Sequence, residues 1–281
     1  MRVKFFALLS ILAAFASAAG LEVERARNLY NSTDFDGSLR LLHALPVKDG
    51  PAYELIGRNY YMQRDYKQAT EALEKALAAD PANSGYALWL GRAFGRRAET
   101  SSLFTAPGYA AKTRQYFEKA VQLDPRNPDA LNDLFEYYLE APGFLGGGFD
   151  KAAATATRIA QLDPAEGHAA QARLAEKKKD FAAAEQSFRR AVESAPSQPG
   201  RLIELARFLL RRGRDREAEQ CFAQAEKLAP NNPKLLYERA EAYIGNGRNR
   251  ELARELLRRY VNSPLTADDP PRSDAAKLLQ Q

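Results

Sequence analysis

The chain has 281 residues, 45% of them hydrophobic and 27% charged, with a formal net charge of +5 at pH 7. That excess is too small and too dispersed for a nucleic-acid binder, which gathers a larger cationic surplus on one face. The lone cysteine, Cys221, excludes an internal disulfide, and His43 and His168 stand too far apart and too unaccompanied for a metal centre.

The first nineteen residues read as a secretory signal. Arg2 and Lys4 precede an apolar run from Phe5 to Phe15, and the small residues Ala16, Ser17 and Ala18 follow. The run is too short to cross a hydrocarbon core of about 30 Å as a helix. Cleavage is expected after Ala18, with an uncleaved anchor as the competing reading. Without Arg2 and Lys4 the mature chain would carry about +3. No cysteine lies near the cleavage point, which excludes a bacterial lipoprotein anchor. The expected product is exported, to the periplasm first and free secretion second.

Paired helical stretches then follow. Leu21 to Asn31 and Phe35 to Leu45 form a degenerate first hairpin, with Ala26 and Ser38 small and Leu29, Leu42 and Leu45 as fillers. The second hairpin spans Tyr53 to Pro81. Its first helix carries Tyr53, Ile56 and Tyr60 on one face, and its second carries Ala69, Leu73, Ala76 and Leu77. Small Gly57 and Ala69 allow close approach beside Tyr60 and Leu73. The third begins at Ser84, with Leu88, Leu90, Gly91 and Phe94, and its second helix is expected from about Ala110 to Leu123. An insertion occupies Thr100 to Gly108. The fourth starts near Pro128 with Leu131, Leu134, Phe135 and Tyr138, and a second insertion, Ala141 to Gly148, precedes a helix led by Phe149. The fifth spans Ala165 to Gln198, the sixth Pro199 to Asn232 and the seventh Pro233 to Asn262. A last helix, Arg272 to Leu279, is set off by Pro270 and Pro271, with Ser273 or Asp274 as its N-cap.

A spaced pattern runs through the second helices. Ala69, Leu73, Ala76 and Pro81 return as Thr113, Phe117, Ala120 and Pro125, then as Ala152, Ala156, Ile159 and Pro164. Ala184, Phe188, Ala191 and Pro196 repeat it, and so do Ala218, Phe222, Ala225 and Pro230. A period of about 34 residues marks stacked helical hairpins, none of which hides its apolar face alone.

This pattern resembles the tetratricopeptide repeat family. The stretch Tyr137 to Gly143 is similar to that of exported bacterial members with no characterised activity. The resemblance implies an all-α, right-handed superhelix of about seven hairpins with a capping helix. It would span residues 20–262, followed by a linker and cap over 263–281. It also implies a concave groove that binds proteins or peptides, with no cofactor and no catalysis. The chaperone-binding members hold a peptide carboxylate with a Lys and Asn set. This chain has Arg where they have the first Asn, which argues against chaperone-tail binding of that type.

Two features stand out as binding surfaces. The residue after each Leu-Gly pair faces the groove. It is Arg58, Arg92, Arg173 and Arg207 in the second, third, fifth and sixth hairpins, and Glu136 and Glu241 in the fourth and seventh. Arg96, Lys177 and Arg211 lie one turn on. Such a ladder would favour acidic peptides or a free carboxylate. The alternative is that the arginines pair with groove acids such as Glu54 and Glu176, or stay solvated. The insertions share Ala-Pro-Gly-aromatic strings, Ala106 to Tyr109 and Ala141 to Phe144, and are expected to be neighbours on one edge. Pro-Gly favours a tight turn, which would aim Phe104, Tyr109, Phe144 and Leu145 outward as a partner-docking patch, or pack them on each other and the edge.

Other features read as structural. Gly146, Gly147 and Gly148 follow a helix and lack the Lys-Ser or Lys-Thr of a phosphate loop, so they read as a turn. Cys221, beside Phe222, reads as a buried small hydrophobe before a reactive thiol. No catalytic set emerges. The leading expectation is a non-enzymatic scaffold for protein or peptide binding in the cell envelope. The alternative is a ligand-binding or accessory subunit in envelope polysaccharide handling.

Overall fold

A computed structural model describes residues 20–230 and 232–280; the expected signal segment, 1–19, lies outside them. Fifteen α-helices and one 3-10 turn account for the ordered elements among the described residues. The chain divides into two compact units, one ending at Asn127 and one starting at Pro128.

The first unit holds α1 (20–31), α2 (Phe35–Ala44), α3 (Gly50–Met62), α4 (Tyr66–Ala79), α5 (Ser84–Thr100) and α6 (Ala106–Leu123). The second holds α7 (Pro128–Glu140), α8 (Phe149–Leu162), α9 (Pro164–Lys177), α10 (Phe181–Ser194) and α11 (Pro199–Arg211). It continues through α12 (Asp215–Leu228), α13 (Pro233–Gly245), α14 (Arg250–Val261) and α15 (Arg272–Leu279). Consecutive pairs from α1/α2 to α13/α14 are the seven hairpins.

The period-spaced residues form the cores. Ala69, Leu73, Ala76, Phe117, Ala120, Ala152, Ala156 and Ile159 are buried, as are Ala184, Phe188, Ala191, Ala218, Phe222 and Ala225. Close approach explains the small residues. A Cβ on Gly57 would lie 2.5 Å from the Leu73 side chain, and one on Gly91 would lie 2.6 Å from the Phe117 ring. In these two hairpins the first helix lies on its partner at the point where glycine removes the obstacle.

Five hairpins share one turn. A residue with positive φ, Thr33, Arg64, Lys179, Gly213 or Gly247, ends the first helix. The next residue donates its amide five positions back, as Asp65 does to Tyr60 (2.9 Å) and Asp180 to Ala175 (2.9 Å). This closes the C-terminal turn and satisfies an orphan carbonyl. The Asp34, Asp65 and Asp180 side chains then cap the following helix, accepting from the amides of Gly37, Gln68 and Ala183.

The two exceptions carry the insertions. In the third hairpin the extra residues lengthen the helices: α5 has 17 residues and α6 has 18, against 13 and 14 for α3 and α4. Helix α6 starts at Ala106, four residues before the expected Ala110. Pro107 and Gly108 therefore form a first helical turn, where a missing proline amide costs nothing, and the connection shrinks to 101–105. The fourth hairpin keeps a true loop, 141–148, with a 3-10 turn at Gly143–Leu145. Gly146 and Gly148 have positive φ, and a Cβ on Gly147 would meet the Ala141 carbonyl at 1.8 Å. The triple glycine is a turn built by backbone necessity.

Helix α15 has the expected bounds but a different start. Its N-cap is Pro271 with no side-chain cap bond, and Ser273 and Asp274 fall inside the first turn. Ala275 and Leu265 are buried, and the Tyr260 hydroxyl donates to the Pro270 carbonyl, which anchors the segment on α14.

Candidate functional site: the first-helix cleft of the second unit

Helices α7, α9, α11 and α13, with Phe181 and Phe188 of α10, line an open cleft of about 720 Å³. Leu139, Phe181, Phe188 and Ile203 form its apolar floor, and charged side chains form its walls. The walls are an alternating lattice. Arg173 on α9 donates to Glu136 on α7 and, at 3.0 Å, to Glu204 on α11, with Glu166 at 3.6 Å. Arg201 bridges Glu166 and Glu204, the latter at 2.8 Å. Lys177 meets Glu140 at 2.5 Å. Arg211 grips Glu176 with two bonds of 2.8 Å each, the fork geometry a guanidinium favours. Arg207 lies 3.0 Å from Glu241.

Burial by itself would lower the Arg173 pKa; the carboxylates of Glu136, Glu204 and Glu166 outweigh it and the pKa is raised. Glu238 differs. Its nearest cation, Lys234, is 3.9 Å away. Burial pushes its carboxyl up, with Lys234 and Arg207 opposing and Glu204 and Glu241 reinforcing.

Tetratricopeptide repeat models match residues 50–83, 146–199, 175–230 and 203–270, together more than half of the chain. The chain belongs to the tetratricopeptide repeat (TPR) family. A TPR protein from Parabacteroides merdae shares 12% identity over 94% of this chain and 98% of its own, with a TM-score of 0.59. A thermophilic TPR protein from Thermus thermophilus shares 20% over 68% of this chain and 99% of its own, with a TM-score of 0.55. Yeast Tom70 gives 0.62 at 19% identity, over 93% of this chain and 55% of its own. At these identities the likeness is one of fold. No curated protein matches the sequence. TPR repeats act as scaffolds for protein–protein contacts.

The groove arginines expected from the TPR pattern occupy two settings. In the second unit Arg173 and Arg207 face Glu136 and Glu241, so the two glutamates that interrupt the arginine series are the partners of its members. In the first unit the arginines lie on aromatic rings. Arg58 sits 4.5 Å from the centre of Trp89 and 5.0 Å from Tyr30, and it bonds Glu54 at 3.1 Å. Arg92 lies 5.0 Å from the Trp89 ring.

The loop residues separate. Leu103 and Phe104, at the 101–105 tip, are 90% and 98% exposed, and Phe144 is 82% exposed. Leu145 is half-buried, and its carbonyl accepts from the Tyr137 hydroxyl at 3.0 Å. Tyr109, expected to point outward from a loop, belongs to α6 instead. Its ring stacks on Phe94 at 6.1 Å, and its hydroxyl accepts from Arg97 at 2.6 Å. The early start of α6 leaves Tyr109 half-buried, with its ring against Phe94 rather than in a loop. Arg97 also donates to Thr70 at 2.9 Å, so the lengthened hairpin is braced below its exposed tip. Cys221 is only half-buried, and burial raises its thiol pKa, which disfavours the reactive thiolate.

The sequence reading missed Glu140, Glu204, Glu238 and Lys179 as cleft residues. A signal existed: the pairs Arg173–Glu136 and Lys177–Glu140 are 37 residues apart, and Arg211–Glu176 and Arg201–Glu166 are 35 apart. Opposite charges at one repeat's spacing mark facing positions on adjacent first helices.

Proposed function

We propose that the protein is a non-enzymatic TPR scaffold whose α7–α9–α11–α13 cleft holds a segment of a protein partner. The open cleft with an apolar floor and a preformed ionic wall carries this reading. Buried apolar contact on the floor supplies affinity, and the ordered charges supply register. The wall carries both signs, so the favoured partner segment does too, rather than being acidic throughout. Capture of a partner from the native source should be lost in Arg211→Glu and in Lys177→Glu while Tm is kept. Undiminished capture by both variants would contradict the reading.

The exposed tips at Phe104 and Phe144 are a second surface for the same scaffold. Burying one such ring contributes about 1.5–3 kcal/mol. Loss of capture in Phe104→Ala at unchanged Tm supports this surface.

The setting we propose is outside the cytoplasm, on the strength of the Arg2, Lys4, Phe5–Phe15 and Ala16–Ala18 pattern. N-terminal sequencing of the protein from its source should begin at Ala19. A mature chain beginning at Met1 would contradict export by cleavage.

A further inference from the structure

Among the described residues the charge lattice is open at two places, one on α13 and one just after α9. Glu136, Glu140, Glu176 and Glu204 each accept a hydrogen bond from a cation across the cleft. Among the described residues Glu238 on α13 accepts none; Lys234 lies 3.9 Å away on its own helix, and Arg207 acts on it from α11 without a hydrogen bond. The Glu238 side chain is 24% exposed and lies beside Glu204 and Glu241, so it is partly stripped of water in a negative neighbourhood. One helix in from α7, exposed Lys179 lines the cleft from the α9–α10 turn, and its ammonium has no side-chain partner among the described residues. A positive φ of 63° at Lys179 fixes the backbone that presents it.

The two open places have opposite sign. Between them lie α9, α11 and α13, with neighbouring axes about 8–10 Å apart, so they stand roughly 20 Å from each other. An extended chain of about six residues covers that span. A half-buried carboxylate without a donor is a cost that an incoming cation removes, whereas the paired members of the wall gain nothing from a ligand.

We propose that the cleft reads the polarity of its partner: a protein segment binds with a lysine or arginine side chain on Glu238 and, about six residues away, a carboxylate on Lys179. The inference rests on the cleft being the partner-binding face and adds the partner's charge order and direction. The closed lattice between them then acts as a neutral track over the apolar floor. The two charges fix which way round the segment lies.

The test uses a phage library of random twelve-residue peptides selected on the full-length protein. Selected peptides should carry one basic and one acidic residue at a recurrent spacing of about six and in one order. Their affinity should fall about tenfold or more in Glu238→Gln and severalfold in Lys179→Gln, both with Tm retained. It should vanish in Lys177→Trp, which fills the cleft. Peptides lost in Lys177→Trp but indifferent to Glu238→Gln and Lys179→Gln would overturn the polarity reading and leave the cleft as the binding face. Peptides indifferent to all three variants, or none recovered, would overturn both.

Discussion

Arg207 on α11 lies 3.0 Å from Glu241 on α13. These two residues occupy the same position in consecutive hairpins, and so do Arg173 and Glu136, which are also paired. Equivalent positions on stacked first helices face one another, so a sign change from one repeat to the next becomes an ion pair. The arginine series interrupted by glutamates is therefore a self-complementary wall.

Arg173 is the hub of that wall, with three glutamates within 3.6 Å. Arg173→Met keeps much of the stem volume but leaves Glu136, Glu166 and Glu204 facing each other without it. The expected loss is about 1–3 kcal/mol in urea unfolding. Because Arg201 still holds Glu166 and Glu204, the loss should shrink when Glu136→Gln is combined with it. A change below about 0.5 kcal/mol, the range of ordinary surface substitutions, would show the wall to be decorative.

Helix packing in the third hairpin gives an opposed pair of outcomes. Gly91→Ala drives a methyl to 2.6 Å from Phe117 and should cost about 1–3 kcal/mol. Gly95→Ala, one turn along α5, places its methyl 3.5 Å from Thr113, an ordinary contact. That substitution should stabilise by about 0.5–1 kcal/mol through helix propensity. Thermal melts of the two variants check the sign difference.

The lengthened hairpin separates packing from exposure. Tyr109→Ala removes the Phe94 stack and the Arg97 bond and should cost about 1–3 kcal/mol. Phe104→Ala, at a side chain 98% exposed, should change stability by less than about 0.5 kcal/mol. Equal losses in both variants would place Phe104 in the core.

Glu238 sets a pH dependence. Burial raises its folded-state pKa above the ordinary glutamate value of 4.5, so the folded chain holds the proton more tightly than the unfolded chain. Its contribution to stability therefore falls as pH rises from about 4.5 through the raised value. Glu238→Gln should raise Tm at pH 7, and the gain should disappear below about pH 4, where both states are protonated. A gain independent of pH would mean that the carboxylate is not strained by its surroundings.

Most of the fold was legible because each repeat restates the same constraints. The period-spaced alanines and phenylalanines named the core, and Pro271 together with the apolar spacing located α15 to the residue. The start of α6 was not legible, because Pro107-Gly108 suits both a turn and a first helical turn. The choice fell to tertiary packing of Tyr109 on Phe94. The charge lattice was half legible. The arginines were visible as a series, but their partners lie 35 or 37 residues away, and pairing depends on which faces the stack brings together. Glu238 and Lys179 carried no sequence signal, since lacking a cross-helix hydrogen bond is a property of the neighbours.

The central claim is that a protein segment lies in the cleft of the second unit. Site-specific photocrosslinking in the native source tests it most directly, with p-benzoylphenylalanine in place of Glu140 on the exposed rim of the cleft and, separately, of exposed Arg190 on α10. A discrete crosslinked partner should form from position 140 and not from 190, and Glu238→Gln should weaken it. Crosslinks of equal strength from both positions, or none from 140 while 190 gives a partner, would contradict the claim.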